Sequence, residues 1–176
     1  MNSTLNELSL ISYCIGNTQD TSLLCGEILD ETPDDCISLF LMGLLEVGDN
    51  ASFVTRNNYF KQALNNKNIS ASVAFGIGGL CQKSHDFYIA EQAYAIVLKI
   101  EPDNVLYNKH YAQFQYTTGQ LFNAFFAYKK VMELDSNNNE IPIKMGLLAA
   151  NTKAIPFCQE GLSALEQVLK KRPDDE

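Results

Sequence analysis

The chain has 176 residues, 46% hydrophobic and 19% charged, enough apolar material for one packed domain and too little for two large ones, which excludes wholesale disorder. Thirteen basic residues stand against 21 acidic ones, a formal charge of −8, so the basic footprint of a nucleic-acid binder is missing. The imbalance sits at the front, where residues 1–55 hold nine carboxylates and no Lys or Arg; such a negative end keeps a protein soluble or steers a basic partner.

The opening residues Met1, Asn2, Ser3, Thr4 and Leu5 lack the positive start of an export signal. The longest uncharged apolar run, residues 37–45, is about half of what a membrane-crossing helix needs. A cytoplasmic protein without membrane insertion is therefore expected.

In chain order, residues 1–36 come first and end in Ile28, Leu29, Asp30, Glu31, Thr32 and Pro33, a helical stretch with a proline stop, read as a degenerate helix pair. From residue 37 a period of 34 governs the chain: Phe53, Phe87 and Leu121 are successive steps, as are Phe60, Tyr94 and Tyr128, then Ala63, Val97 and Val131, then Leu64, Leu98 and Met132. Upstream in each copy Leu39, Val73, Tyr107 and Ile141 align. Leu44, Gly78, Ala112 and Gly146 form a small-or-apolar column where two helices are expected to approach closely.

Residues 71–104 show the unit best. Val73, Ile77 and Leu80, then Ala90, Ala93, Tyr94, Val97 and Leu98, recur at helical spacing, with Lys83, Ser84, His85 and Asp86 as the polar break. Each unit is thus expected to be two antiparallel helices. Pro102 closes this copy, the polar run at 136–139 closes the copy at 105–138, and Pro173 follows the apolar pattern of Ala164, Leu165, Val168 and Leu169 in a C-terminal pair or capping repeat at 139–176.

These residues resemble the tetratricopeptide repeat family, whose repeat is also 34 residues long, with small residues at positions 8, 20 and 27, an aromatic at 24 and proline at 32. Residues 71–104 fill those slots with Gly78, Ala90, Val97, Tyr94 and Pro102, and residues 105–138 with Ala112, Ala124, Val131 and Tyr128, with Ser136 in place of the proline and Gly119 at the turn. Residues 37–70 match less well: Phe60 and Ala63 are in place, but Arg56 takes the small slot and Asn68 the proline slot. The resemblance implies an all-α, right-handed superhelix of about five antiparallel helix pairs, three of them repeats at 37–70, 71–104 and 105–138.

Enzymatic signals are weak. Cys14, Cys25, Cys36, Cys81 and Cys158 form no C-x-x-C pair, so reduced and mostly buried thiols are expected. Cys81 and His85 lack a third orienting group, and the glycines at 76, 78 and 79 follow no strand and precede no Gly-Lys-Ser/Thr, so close helix packing explains them better than a phosphate site. Neither a cofactor nor a metal is expected, because the two histidines have no recognised ligand spacing.

The resemblance also implies where a partner sits, since the first helix of each pair in this family lines a groove with positions 2, 5, 6, 9, 12 and 13. Mapped onto this chain these give Leu41, Met42 and Leu45, then Phe75, Gln82 and Lys83, then Lys109, His110, Gln113 and Tyr116, and finally Lys144. An apolar end passes into a basic, polar one, which suits a partner segment with an apolar anchor and a carboxylate bound by Lys109 and Lys144. Leu41, Met42 and Leu45 read equally well as ordinary helix-packing core.

The expected function is a non-catalytic module that binds a peptide or helix of a partner protein. Two alternatives stand beside it. The small size, acidic charge and the glycine-rich run at 75–82 are similar to the repeat-containing chaperones that hold translocator proteins of bacterial type III secretion. Alternatively, the C-terminal sequence reads like a join to a further repeat, as in the N-terminal arm of a larger enzyme such as a transferase. Self-association through an uncapped end face is a further reading.

Overall fold

The computed structural model describes residues 2–46, 50–152 and 155–171. All regular secondary structure among them is helical: α1 (Asn2–Cys14), α2 (Thr18–Glu31), α3 (Cys36–Leu45), α4 (Asn50–Asn65), α5 (Ala71–Lys83), α6 (Phe87–Ile100), α7 (Val105–Thr117), α8 (Leu121–Leu134), α9 (Glu140–Thr152) and α10 (Ile155–Lys171). No helix among these residues is long and apolar enough to cross a membrane.

Local signals set the helix ends. Asn17, Asp35, Ser70 and Asn104 each accept a hydrogen bond from the backbone N–H three residues on, satisfying one orphan donor at the starts of α2, α3, α5 and α7. At the ends of α1, α5 and α7 the chain reverses through a left-handed residue, Gly16, His85 and Gly119, with φ of 79°, 61° and 77°. The next residue's N–H reaches back five places, Asn17 to Ser12, Asp86 to Cys81 and Gln120 to Gln115, which completes three copies of one helix-terminating turn. That turn folds each first helix back onto its second.

Two units result, α1–α6 within Met1–Ile100 and α7–α10 within Glu101–Glu176. In the first, α1 packs on α2, α3 on α4 and α5 on α6, with α2 against α3, α3 against α5 and α4 against α6 joining the pairs. In the second, α7 packs on α8 and α9 on α10, with α8 against α9.

The aromatic column supplies both cores. Phe60, Tyr94 and Tyr128 are buried, and in the first two cases the ring lies against a glycine on the partner helix. A Cβ on Gly78 would stand 3.3 Å from Tyr94, and one on Gly43 would stand only 2.3 Å from Phe60. The second unit surrounds Tyr128 with Ala112, Ala124, Phe125, Ile141 and Met145, and Phe157 stacks edge-on against Phe125 at 4.6 Å.

Contrary to the register read from sequence, Leu44 does not occupy the close-approach column of its pair; Gly43 does. The first-helix caps give the same answer, because Ser70 and Asn104 lie 34 apart whereas Asp35 precedes Ser70 by 35. Phe60 nonetheless keeps the 34-residue step to Tyr94, so the extra residue falls between Gly43 and Phe60, a stretch that contains the α3–α4 connection. The whole of α3 is one position out of the expected frame.

Thiol burial also departs from expectation. Only Cys25 and Cys81 are buried, Cys36 is half-buried, and Cys14 and Cys158 are exposed. Burial pushes the Cys81 thiol up to about 12 and Cys36 up to about 11, with nearby Asp86, and Asp35 and Asp34, adding to it, so both stay protonated at neutral pH. Arg56, in the small-residue slot of α4, is accommodated by turning its guanidinium outward over the Phe53 ring at 4.5 Å and onto Ser84 Oγ at 3.1 Å.

Candidate functional site

In the second unit the helical repeat aligns two stripes of side chains. Lys109, Gln113 and Tyr116 follow i, i+4, i+7 along α7, and Glu140, Lys144 and Leu147 follow the same spacing along α9, with Leu148 beside them. With Tyr128 of α8 behind them, Gln113, Tyr116, Lys144, Leu147 and Leu148 line a cavity of about 170 Å³. Its volume is close to the ~150 Å³ that holds a benzene ring, so it has room for one aromatic or branched aliphatic side chain.

The polar groups at this cavity form a connected set. The Tyr128 hydroxyl donates to Gln113 Oε1 at 2.9 Å, and Lys144 Nζ donates to the same oxygen at 3.4 Å. Lys144 Nζ also stands 5.6 Å over the Tyr128 ring and 2.9 Å from Glu140 Oε1. The other Glu140 oxygen accepts from Lys109 Nζ at 2.7 Å. Gln113 therefore commits its carbonyl to the protein, and what it can offer a ligand is an amide N–H.

Charge states follow from these contacts. Hydrogen bonds from Lys109 and Lys144 hold the Glu140 carboxyl down at about 2. Burial, reinforced by Glu140 and Tyr116, pushes the Tyr128 phenol up to about 12. Partial burial and the neighbouring Lys109 charge lower the His110 imidazole, so His110 is neutral at physiological pH. The lysine–glutamate–lysine cluster thus carries one net positive charge beside an apolar hole.

Of the residues expected from sequence, Gln113, Tyr116 and Lys144 meet at the cavity, and Lys109 joins them through Glu140. His110 is on α7 but exposed and outside the cavity lining. In the first unit Phe75 lies edge-on to Tyr94 at 6.2 Å and Gln82 accepts from the Tyr94 hydroxyl at 2.8 Å, so both are organised around that core ring. Lys83 is exposed in the last turn of α5, where a cation complements the helix dipole. Met42 and Leu45 are half-buried, whereas Leu41 is 1% exposed and belongs to the core.

Four contributors are not among the sequence expectations: Tyr128, Glu140, Leu147 and Leu148. Leu147 holds the same repeat slot as Gln113, so the slot rule contains it. Glu140 holds position 2 of its repeat, so the slot rule contains it too, whereas Tyr128 reads from sequence as core only. Among the described residues no group of three or more His, Cys, Asp or Glu side chains is arranged to hold a metal ion.

No family model matches the chain, and no curated protein matches it by sequence. Solved structures do. A MamA structure from Desulfovibrio magneticus RS-1 superimposes with a TM-score of 0.65 at 14% identity, over 99% of this chain and 97% of that one. YrrB, described as a TPR protein with an unusual peptide-binding site, matches with a TM-score of 0.68 at 12% identity, over 97% and 86%. PilF of Pseudomonas aeruginosa matches at 0.63 and 14%, over 94% and 75%. The fold is that of the tetratricopeptide solenoids. At such identities the likeness is one of architecture.

Proposed function

We propose that this chain is a non-catalytic, cytoplasmic protein-interaction module that binds a short segment of a partner protein at the α7–α9 cavity. The observation that carries this reading is the cavity itself, an apolar hole with an amide and an ammonium at its edge, the usual make-up of a pocket that fixes one anchor side chain and orients the backbone around it. Tyr116, Leu147 and Leu148 would hold the anchor, Gln113 an acceptor on the segment, and Lys109 and Lys144 a carboxylate. Similarity in fold to YrrB, itself described as having a peptide-binding site, adds support. Met42, Leu45, Phe75, Gln82 and Lys83 remain a second proposed contact area in the first unit.

The test is capture of the partner from the native organism with tagged wild-type protein, and with two variants, Lys109→Glu/Lys144→Glu and Leu147→Trp. A stoichiometric partner that both variants lose while remaining folded supports the reading. Equal recovery by wild type and both variants moves the site elsewhere. Export of the captured partner by a secretion apparatus would assign the secretion-chaperone role.

A further inference from the structure

Resting on that reading of the cavity, we infer that Glu140 is a built-in stand-in for a ligand carboxylate: it fills the seat between Lys109 and Lys144 in the unbound protein and is displaced by an acidic partner segment whose apolar side chain enters the cavity. Glu140 divides its two oxygens between two ammonium groups that come from different helices, Oε2 to Lys109 at 2.7 Å and Oε1 to Lys144 at 2.9 Å. That is the geometry of a bridging carboxylate in a two-lysine seat. The seat borders the cavity, because Lys144 belongs to both.

Exposure argues that the stand-in can leave. The Glu140 side chain is 52% exposed, more than either lysine it bridges, at 35% and 31%. Ion pairs this open to water contribute little, so exchanging one carboxylate for another is nearly neutral, and burial of the incoming apolar side chain tips the exchange. Lys144 keeps its place when Glu140 departs, since Gln113 Oε1 at 3.4 Å and the Tyr128 ring at 5.6 Å hold its ammonium independently. The seat is therefore preorganised on its cavity side.

Two consequences define the ligand class. A segment must carry an apolar residue next to Asp, Glu or a terminal carboxylate, because only such a segment both fills the hole and replaces Glu140. A segment with an uncharged amide in that place leaves Glu140 bound and gains only the apolar contact. Glu140 thereby sets a threshold that acidic segments alone have to overcome, and so masks the preference for a carboxylate that the two lysines would otherwise give.

The experiment uses two panels of fluorescent dodecapeptides, each with a central Phe or Leu flanked by Asp and Glu in one panel and by Asn and Gln in the other. Binding is measured by anisotropy to wild type, Glu140→Gln and Lys144→Met, with folding checked by circular dichroism. Expected is at most a slight preference of wild type for the acidic panel, about tenfold tighter acidic binding by Glu140→Gln with amide binding within about twofold, and no acidic preference in Lys144→Met. Acidic peptides that bind wild type but bind Glu140→Gln equally or more weakly overturn the stand-in role and leave the peptide site intact. If no peptide of either panel binds wild type or Glu140→Gln, the peptide site falls and this inference falls with it.

Discussion

His85 and Gly119 occupy the same turn of consecutive repeats, 34 residues apart, and both have a left-handed backbone, with φ of 61° and 77°. In an L-residue that conformation costs about 1–2 kcal/mol, and glycine escapes it. His85→Gly is expected to stabilise the protein by about 0.5–1 kcal/mol, the gain being reduced by the greater freedom of glycine in the unfolded chain and by loss of the edge-on contact with Phe87 at 5.5 Å. Gly119→Ala is expected to destabilise by about 1 kcal/mol. Urea midpoints read both; a destabilised His85→Gly would show that the imidazole matters more than the turn.

Gly43 and Gly79 provide an opposed pair on one fold. A methyl at Gly43 would meet the Phe60 ring at 2.3 Å, so Gly43→Ala is expected to cost about 2 kcal/mol through overpacking. Gly79 is exposed within α5, and a methyl group there would have no neighbour within 4 Å, so Gly79→Ala should gain up to about 1 kcal/mol in helix propensity. Thermal unfolding separates the two signs, and equal effects would contradict the placement of α3 against α4.

How far the fold can be read from sequence is shown by the same residues. Phe60, Tyr94 and Tyr128 stand 34 apart and are all buried, because each pair needs one large ring wedged between its helices and the period repeats that need. The period does not place α3: a 34-residue frame anchored on Phe60 runs backwards through the extra residue and lands on Leu44 instead of Gly43. Leu41 lies in the core although both the expected frame and the shifted one give it a groove position. At the site, Gln113, Tyr116, Lys144 and Glu140 all stand in helical slots, but the bridge from Glu140 to Lys109 does not follow from them, since it is a contact between helices that the repeat pattern does not encode.

Gln115 is fully buried on α7, and neither its side-chain nitrogen nor its oxygen has a hydrogen-bond partner among the described residues. A buried amide without partners costs about 1–3 kcal/mol, and methionine is of similar shape without the penalty. Gln115→Met is expected to raise stability by about 1 kcal/mol in a urea titration. A loss of stability would mean that the amide is satisfied in solution.

The Glu140 carboxyl is held at about 2, below the 4.5 of an unperturbed glutamate. Because its folded value is depressed, the stabilisation it brings is fully present above about pH 4.5 and is lost as the pH falls through about 2. A carboxyl-detected NMR titration should place its midpoint near 2 in wild type, with an upward shift in both Lys109→Met and Lys144→Met. A midpoint near 4.5 in wild type would show that the bridge does not persist in solution.

Binding at the α7–α9 cavity is read out residue by residue in a methyl and side-chain-amide NMR titration of the protein with the captured partner segment. The largest shifts are expected on the Leu147 and Leu148 methyls and the Gln113 amide, with Glu140 released from Lys144 at saturation. Shifts confined to residues of the first unit, with Gln113, Leu147 and Leu148 unchanged, would show that the partner binds elsewhere and that the cavity is not its site.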